Sequence, residues 1–217
     1  MFRCNQSLFS ALGWLLAMSL PACDQRAEKS SPIGEAYFKR VMQIREHRDQ
    51  QFKTAADSPI PAPLRATFQG LSYFPIHPRM RFRLKLHRIQ PPDTVWIMTT
   101  HGQDRPALKW GYFDFTVQKT PVRLFAYVFL DHAPSQNPRL FIPFRDATSG
   151  KLTYSGGRYL YLPLRRDDRY VLDFNLAFNP ACAYGNTDYV CPIPPPENSL
   201  PVAVLAGEKI WEPPQSP

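Results

Sequence analysis

The pattern of hydrophobic and polar positions separates one helical stretch from a long series of strands. In residues 32–54 the apolar side chains recur at helical spacing, at positions Ile33, Tyr37, Val41, Ile44 and Phe52. Ser31 and Pro32 suit the N-cap and the first position of a helix. The proline-rich segment 58–63 does not continue a helix. We therefore predict an amphipathic helix over residues 32–54.

After residue 66 the hydrophobic spacing changes to two, which is typical of strands. The clearest example runs from Met80 to Leu86, where apolar residues alternate with the basic residues Arg81, Arg83 and Lys85. Residues 68–74 form a first strand region. We expect turns at residues 90–93, 101–102 and 119–121. Further strands are predicted at residues 95–98, 107–117, 122–130, 140–144, 157–162, 170–174 and 202–206.

Short, regularly spaced strands after a single helix favour an antiparallel β-barrel or β-sandwich. The 24 prolines support a mainly β chain, because proline interrupts helix interiors. The sequence contains no internal repeat and no second domain boundary. Residues 32–217 are therefore predicted to form one mainly β domain with an N-terminal amphipathic helix.

The first 22 residues have the three parts of a signal peptide. Arg3 supplies a short basic region, an apolar run follows at residues 8–18, and small residues precede Cys23. The sequence Leu-Pro-Ala-Cys at residues 20–23 resembles a lipobox, in which the cysteine is acylated and becomes the first residue of the mature protein. We predict lipidation of Cys23, followed by a polar tether at residues 23–31.

Two alternatives to a lipoprotein are a single transmembrane anchor and plain secretion with cleavage after Ala22. The apolar run is shorter than the roughly 20 residues that span a bilayer. Two or more acyl chains hold a protein stably on a membrane. We therefore expect a bacterial cell-envelope protein, attached to the membrane through Cys23 and facing the periplasm. Asp24 resembles the signal that retains enteric lipoproteins in the inner membrane.

The chain has a formal net charge of +8, and the loss of Arg3 with the signal peptide leaves about +7. A basic surface suits anionic lipid headgroups or the cell-wall polymer, and solvated arginines on strand faces are the alternative. Export from the cytoplasm makes nucleic acid an unsuitable partner. The hydrophobic fraction of 44% favours a packed core over a disordered chain.

The cysteine and histidine positions predict a disulfide and neither a metal nor a cofactor. Cys4 is lost with the signal peptide and Cys23 is the lipid site, which leaves Cys182 and Cys191 as a pair in an oxidising compartment. We predict that these two form a disulfide that pins a short loop. The histidines lack metal-ligand spacing, and no glycine-rich phosphate loop precedes a helix.

Residues 141–209 combine glycine, short polar residues and aromatic residues in an unusual density. The motifs include Phe-Ile-Pro-Phe-Arg-Asp at 141–146, Tyr-Ser-Gly-Gly-Arg-Tyr at 154–159 and Asp-Phe-Asn-Leu-Ala-Phe-Asn-Pro at 173–180. Together with Phe-Gln-Gly-Leu-Ser-Tyr-Phe-Pro at 68–75, they resemble a bacterial family known as domain of unknown function 1684. The resemblance covers most of the mature chain, and it implies kinship without an activity.

The same region supplies the polar side chains that packing alone does not explain. Asp173 and Asn175 would share one side of a strand, and a buried Asp173 would need a partner, for which Arg158 is the natural candidate. If the disulfide loop folds back, the residues that would lie close to Asp173 and Asn175 are Asn179, Glu197, Asn198, Glu208 and Lys209. The candidate ligand-binding residues are Asp146, Arg158, Asp173, Asn175, Asn179, Tyr184, Glu197, Asn198, Glu208 and Lys209.

Three interpretations of these polar residues are open. They form a structural network, a pocket for a small polar or cell-envelope ligand, or the site of a hydrolase in which Asp173 or Glu197 acts as general base. Residues 146–150 also have the composition of a turn. The ligand pocket is our leading prediction. A non-catalytic scaffold that docks other envelope proteins is a further alternative.

Overall fold

The computed structural model describes residues 34–131, 137–186 and 188–213. The predicted signal peptide, Cys23 and the tether lie outside these residues. Short 3₁₀-helices are present at Pro78–Met80, Phe174–Leu176, Ala181–Tyr184 and Pro196–Asn198. The other elements are, in chain order, α1 (Glu35–Thr54), α2 (Ala62–Arg65), β1 (Arg81–Lys85), β2 (His87–Ile97), β3 (Arg105–Val117), β4 (Thr120–Phe129), β5 (Arg139–Phe144), β6 (Arg158–Pro163) and β7 (Arg169–Asp173).

Helix α1 confirms the predicted helix but begins later, at Glu35. Gly34 has an extended backbone with φ −73° and ψ 166°, so the predicted start at residue 32 is wrong. The buried face of the helix consists of Val41, Arg45 and Phe52. Ile44, which the apolar pattern placed on the buried face, is 41% exposed. The buried face therefore contains a guanidinium where the pattern predicted only apolar groups.

A five-stranded antiparallel sheet contains the strands in the order β2-β3-β4-β5-β6. Strands β3 and β4 form a long hairpin, in which Ala107 stands opposite Phe129. Strand β2 lies at the edge, and its register shifts between Arg88 and Asp93. The turn predicted at residues 90–93 is therefore an irregularity within β2. Its prolines are tolerated because an edge strand has one side without ladder hydrogen bonds.

Strands β1 and β7 pair with each other in a separate two-stranded antiparallel sheet. Buried side chains of both sheets share one hydrophobic cluster, which includes Phe113, Leu124 and Leu172. Within the described residues the five-stranded sheet is open, because its edge strands β2 and β6 do not pair with each other, and β1 and β7 form a separate two-stranded sheet. The fold is thus mainly β with two packed sheets, as in a sandwich, and the barrel alternative is wrong.

A separate aromatic cluster connects helix α1 with the C-terminal region. The ring centroid of Phe52 lies 4.9 Å from that of Tyr184 and 6.5 Å from that of Phe68. Ile60, which is fully buried, belongs to the same cluster. Burial of one large apolar side chain stabilises a protein by about 1.5–3 kcal/mol. This cluster therefore fixes α1 beside the residues that follow β7.

The strand predicted at residues 68–74 is absent, and Tyr73 forms only an isolated bridge with Glu208. The strand predicted at residues 170–174 is present but ends at Asp173. A 3₁₀-helix begins directly afterwards, because the Asp173 side chain accepts the N–H of Asn175 and caps the new helix. The chain consequently turns at the point where the polar motif begins.

The strand predicted at residues 202–206 is also absent, and the cause is visible in its hydrogen bonds. Val204 donates its N–H to Oδ2 of Asp146 at 2.6 Å. The carbonyl oxygens of Val204 and Ala206 accept hydrogen bonds from the guanidinium of Arg158. Side chains therefore take the backbone groups that a neighbouring strand would otherwise pair.

The predicted disulfide is present between Cys182 and Cys191. Its loop is fixed to the end of β2, since the N–H of Cys191 donates to Oγ1 of Thr100 at 3.1 Å. The N–H of Ile193 donates to the carbonyl of Met98 at 2.7 Å. The disulfide therefore pins a local loop, as the short spacing of the two cysteines predicted.

Candidate functional site

A small cavity lies between helix α1 and the turn that follows β7. Its volume is about 100 Å³. An apolar cavity of about 150 Å³ accommodates a benzene molecule, so this cavity has room for a small head group. The lining residues are Ile44, Arg45, Arg48, Tyr73, Asn175, Leu176, Ala177, Phe178 and Glu208.

Arg45 is the buried, unbalanced cation of this cavity. The residue is 8% exposed, and it donates to the carbonyl oxygens of Phe74 at 3.0 Å and Asn175 at 3.4 Å. Among the described residues it forms no ion pair, and its Nε has no hydrogen-bond partner. Burial lowers the pKa of Arg45 from its usual value. A buried guanidinium without a carboxylate partner favours the entry of an anion.

Tyr73 adds a second unpaired donor to the same cavity. Its ring centroid lies 4.4 Å from the guanidinium carbon of Arg45, and its buried hydroxyl has no partner among the described residues. Burial is the main cause that raises the pKa of Tyr73, so the hydroxyl keeps its proton. Buried polar atoms are nearly always hydrogen-bonded, and each exception costs about 1–3 kcal/mol. Two unpaired donors beside one cavity indicate a place for an acceptor group.

Arg48, the other arginine of the cavity, is fully paired. Its Nε donates to Oε1 of Glu208 at 2.5 Å. The guanidinium carbon lies 4.7 Å from the ring centroids of both Phe52 and Phe178. Burial acts to lower the pKa of Arg48, but Glu208 raises it above its usual value. The Arg48–Glu208 pair is therefore neutral as a unit and leaves Arg45 as the net charge of the cavity.

Glu208 is 1% exposed, and several of the predicted site residues lie around it. Its Oε2 accepts the Tyr184 hydroxyl at 2.6 Å and the Asn179 N–H at 2.7 Å. The side-chain amide of Asn179 donates to the carbonyl of Lys209 at 2.8 Å. These contacts hold the Glu208 carboxylate in a fixed position, where it balances Arg48.

Gly207 lets this carboxylate lie close to the turn after β7. Its φ is +79°, in the left-handed region that favours glycine. A Cβ atom at this position would lie 2.5 Å from the carbonyl oxygen of Ala177 and 2.7 Å from that of Phe174. Any side chain here would force Glu208 away from the turn and from Arg48.

Asp173 and Asn175 do contact each other, but not through a shared strand face. Asn175 lies in the 3₁₀-helix after β7, and it donates both its N–H and its Nδ2 to Oδ1 of Asp173 at 3.0 Å. Oδ2 of Asp173 accepts the Tyr37 hydroxyl at 2.7 Å and lies 3.5 Å from Nε of Arg81. The predicted Asp173–Arg158 pair is therefore wrong, because Arg81 stands opposite Asp173 in the β1–β7 ladder.

Arg158 pairs with Asp146 instead. Its Nη2 lies 3.2 Å from Oδ2 of Asp146, and both side chains are almost fully buried. The two Nη atoms also donate to three carbonyl oxygens within residues 204–208. Burial lowers the pKa of Arg158 to about 10, which leaves it charged at neutral pH. The turn predicted at residues 146–150 is confirmed, since the N–H of Ser149 donates to the carbonyl of Asp146.

Glu197 and Asn198 lie apart from the cavity, in a 3₁₀-helix beside β4. Oε1 of Glu197 accepts from Nζ of Lys109 at 3.1 Å and from the Tyr127 hydroxyl at 3.0 Å. The Asn198 side chain bonds to both the N–H and the carbonyl of Phe125. None of these partners lines the cavity. The expectation that Arg158, Asp173, Asn175, Asn179, Glu197 and Asn198 face one cavity is therefore not met at the cavity beside Arg45, whose lining includes only Asn175 of these six.

Sequence reasoning missed Arg45, Arg48 and Tyr73, which complete the cavity. A signal for the arginines was present. With Val41 and Phe52 they occupy positions i, i+4, i+7 and i+11, which is the spacing of one helix face. The prediction from apolar residues selected a neighbouring face of the helix, because arginine is counted as a solvent-facing residue in such patterns.

Among residues 34–131, 137–186 and 188–213, no group of three or more side chains has the composition and spacing of a metal site. No helix in the described part of the chain is both long and apolar enough to cross a membrane.

A sandwich of two antiparallel sheets with a helix-covered polar cavity is the class of protein that these features define. Residues 66–209 match the family described as "Protein of unknown function (DUF1684)", and the chain belongs to this family. The chain is similar to an uncharacterized protein from Haloarcula marismortui, known from a solution NMR structure, with 34% identity and a TM-score of 0.61. The similarity covers 81% of this chain and 95% of that chain. No curated protein matches this chain.

The family match includes all ten candidate residues and Tyr73, but it begins after helix α1. Arg45 and Arg48 therefore come from a segment that precedes the matched region. The cavity is built from two parts of the chain, with the cationic wall on the helix and the remaining walls on the family domain.

Proposed function

We propose that this protein binds a small ligand with an anionic head group in the cavity between α1 and the turn after β7, and that it does so as a lipid-anchored protein of the cell envelope. One observation carries the binding proposal. Arg45 Nε and the Tyr73 hydroxyl are buried donors without partners, and both residues line the same cavity. A carboxylate accepts from both donors at once and balances the charge of Arg45.

The alternative of a hydrolase receives less support from the surroundings of the carboxylates. An effective general base has a pKa near the working pH. Burial acts to raise the pKa of Glu197, but hydrogen bonds from its backbone, Lys109 and Tyr127 hold the value below the usual range. Asp173 already accepts from Tyr37 and Asn175 and lies beside Arg81. Both carboxylates are engaged in structural contacts, so we do not propose either as a base.

The alternative of a docking scaffold would use exposed apolar side chains. Trp96 on β2 and Met98 directly after this strand are 65% and 62% exposed. Isolated exposed apolar residues are normal on protein surfaces, whereas unpaired buried donors are rare. We therefore base the proposal on the cavity.

The binding proposal is tested by NMR titration of the purified full chain with acetate, propionate and inorganic phosphate. We expect at least one of these anions to shift the resonances of the cavity residues and to bind at least tenfold more weakly to Arg45→Gln, a difference of about 1.4 kcal/mol. The matched control is Arg40→Gln, because Arg40 is an exposed arginine of the same helix. Failure of all three anions to bind, or equal weakening by both variants, would contradict the proposal.

The envelope location rests on the lipobox-like residues 20–23, and Asp24 favours the inner membrane within that proposal. Cys23→Ala is expected to release the protein into the soluble periplasmic fraction or to leave an unprocessed precursor. Cys4→Ala is the matched control, since Cys4 lies within the predicted signal peptide. Membrane fractionation and the mass of the mature protein measure both effects. Normal processing and membrane retention of Cys23→Ala would overturn the lipoprotein proposal.

A further inference from the structure

A second cavity of about 250 Å³ opens where the two sheets separate, between β6 and β7. These strands are consecutive in the chain, but each pairs with another strand, so their facing edges leave a gap. Its aliphatic lining consists of Leu160 and Leu162 from β6, Val171 from β7, and Leu176 from the following turn, and the charged residues Asp173 and Arg139 also line it. The aliphatic part of this gap suits a hydrocarbon chain.

Two residues, Leu176 and Phe178, line both this cavity and the one at Arg45. The two cavities are therefore adjacent at these side chains. Phe178 is fixed, because its N–H and carbonyl both bond to Tyr159 and its ring lies against Arg48. Leu176 is only partly buried, so it is the less constrained of the two side chains that the cavities share.

The charges around the two cavities give a ligand one preferred orientation. Asp173 and Arg139 both line the β6–β7 cavity, so their opposite charges leave that cavity without a net attraction for an anion. Arg45 lines the other cavity and has no carboxylate partner among the described residues. An anionic head group is thus attracted to Arg45, and an apolar tail is directed toward Leu160, Leu162 and Val171.

We propose that the ligand is a monocarboxylate with an unbranched apolar chain, whose carboxylate contacts Arg45 and Tyr73 and whose chain extends past Leu176 into the cavity between β6 and β7. This inference rests on the proposed function and adds the class of ligand. Each methylene that enters an apolar site contributes about 0.8 kcal/mol, or about fourfold in affinity.

The test compares the affinities of propionate, hexanoate and octanoate for the full chain by NMR titration or calorimetry. We expect affinity to rise by about fourfold per methylene across the series. Val171→Trp fills the second cavity from a half-buried position and should remove the gain of octanoate while propionate binding stays unchanged. Val190→Trp is the control, because Val190 is 41% exposed and does not line either cavity.

The outcomes separate this inference from the proposed function. If propionate binds and octanoate binds no more tightly, the chain-binding inference is overturned while the anion site at Arg45 stands. If none of the three binds, the chain-binding inference is overturned, and the anion site at Arg45 then stands only if acetate or inorganic phosphate binds. Arg139 also lines the second cavity and carries the other cationic group near it. If Arg139→Gln abolishes octanoate binding and Arg45→Gln does not, the proposed orientation is wrong.

Discussion

Arg158 and Arg45 are both buried arginines, but their surroundings differ in charge. Arg158 has a carboxylate partner, Asp146, and three carbonyl acceptors within residues 204–208. Arg45 has two carbonyl acceptors and no carboxylate among the described residues. Each leaves its Nε unpaired, so an unpaired nitrogen alone does not mark a binding site.

Two features distinguish the Arg45 region from the Arg158 region. A cavity adjoins Arg45, and a second unpaired donor, the Tyr73 hydroxyl, lines that cavity. Arg158 instead packs over Phe144 and ties the C-terminal segment to β6. A buried charge therefore indicates function when its balancing charge is missing, and structure when that charge comes from the chain itself.

The largest expected effect comes from removing the carboxylate of the structural pair. Asp146→Asn leaves Arg158 as a buried cation without a counter-charge, and breaking a buried pair costs about 3–5 kcal/mol in the free energy of unfolding. Denaturant unfolding measures this loss. Asp114→Asn is the control, because the Asp114–Arg123 pair is exposed and should contribute much less. Equal losses in the two variants would show that Arg158 does not depend on Asp146.

Two tyrosines offer a smaller but more direct comparison, Tyr73 in the lining of the cavity and Tyr184 on the Glu208 carboxylate. Tyr184→Phe removes a hydrogen bond to the buried Glu208 carboxylate and should cost about 1.5–3 kcal/mol, as bonds to charged groups do. Tyr73→Phe removes a hydroxyl without a partner and should leave stability unchanged or slightly raised. Thermal and denaturant unfolding in ligand-free buffer measure both. A cost for Tyr73→Phe as large as that for Tyr184→Phe would mean that Tyr73 has a structural partner.

Arg45→Met is expected to change the free energy of unfolding by less than about 1 kcal/mol. The substitution relieves an unbalanced buried charge, while it leaves the carbonyls of Phe74 and Asn175 without this donor. The two effects oppose each other. A loss comparable to that of Asp146→Asn would place Arg45 in the structural class and remove the main argument for an anion site.

The strands show which part of the fold the hydrophobic pattern can predict. The prediction at residues 107–117 agrees closely with β3, because alternating burial and strand pairing coincide there. At residues 202–206 the pattern reported burial correctly, since Val204 and Ala206 are fully buried. Strand pairing is absent there because Asp146 and Arg158 bond to the backbone. Period-two burial therefore predicts which side chains point inward but not what pairs with the backbone.

The residue types of the site were predictable from the sequence, but the choice of partner for each charged residue was not. The sequence indicated that buried carboxylates need cationic partners, and this holds for Asp173, Asp146 and Glu208. The choice among 26 lysines and arginines depends on which elements meet in space. Arg81 reaches Asp173 through the β1–β7 register, which no spacing along the chain reports.

The smallest expected effect involves the half-exposed pair of Glu197 and Lys109. It is a dependence of the free energy of unfolding on pH. Hydrogen bonds hold the pKa of Glu197 below its usual range in the folded protein. The folded state therefore releases this proton more readily than the unfolded state, whose glutamate pKa is about 4.3. The resulting stabilisation is present above that pH and is lost as the pH falls through the lower pKa of the folded state.

Glu197→Gln should thus be slightly less stable than the wild type at about pH 7 and equal to it near pH 3, as measured by denaturant unfolding. Lys109→Met should weaken the same pH dependence because it removes one of the donors. A difference between Glu197→Gln and wild type that is independent of pH would show that the charge of Glu197 does not contribute.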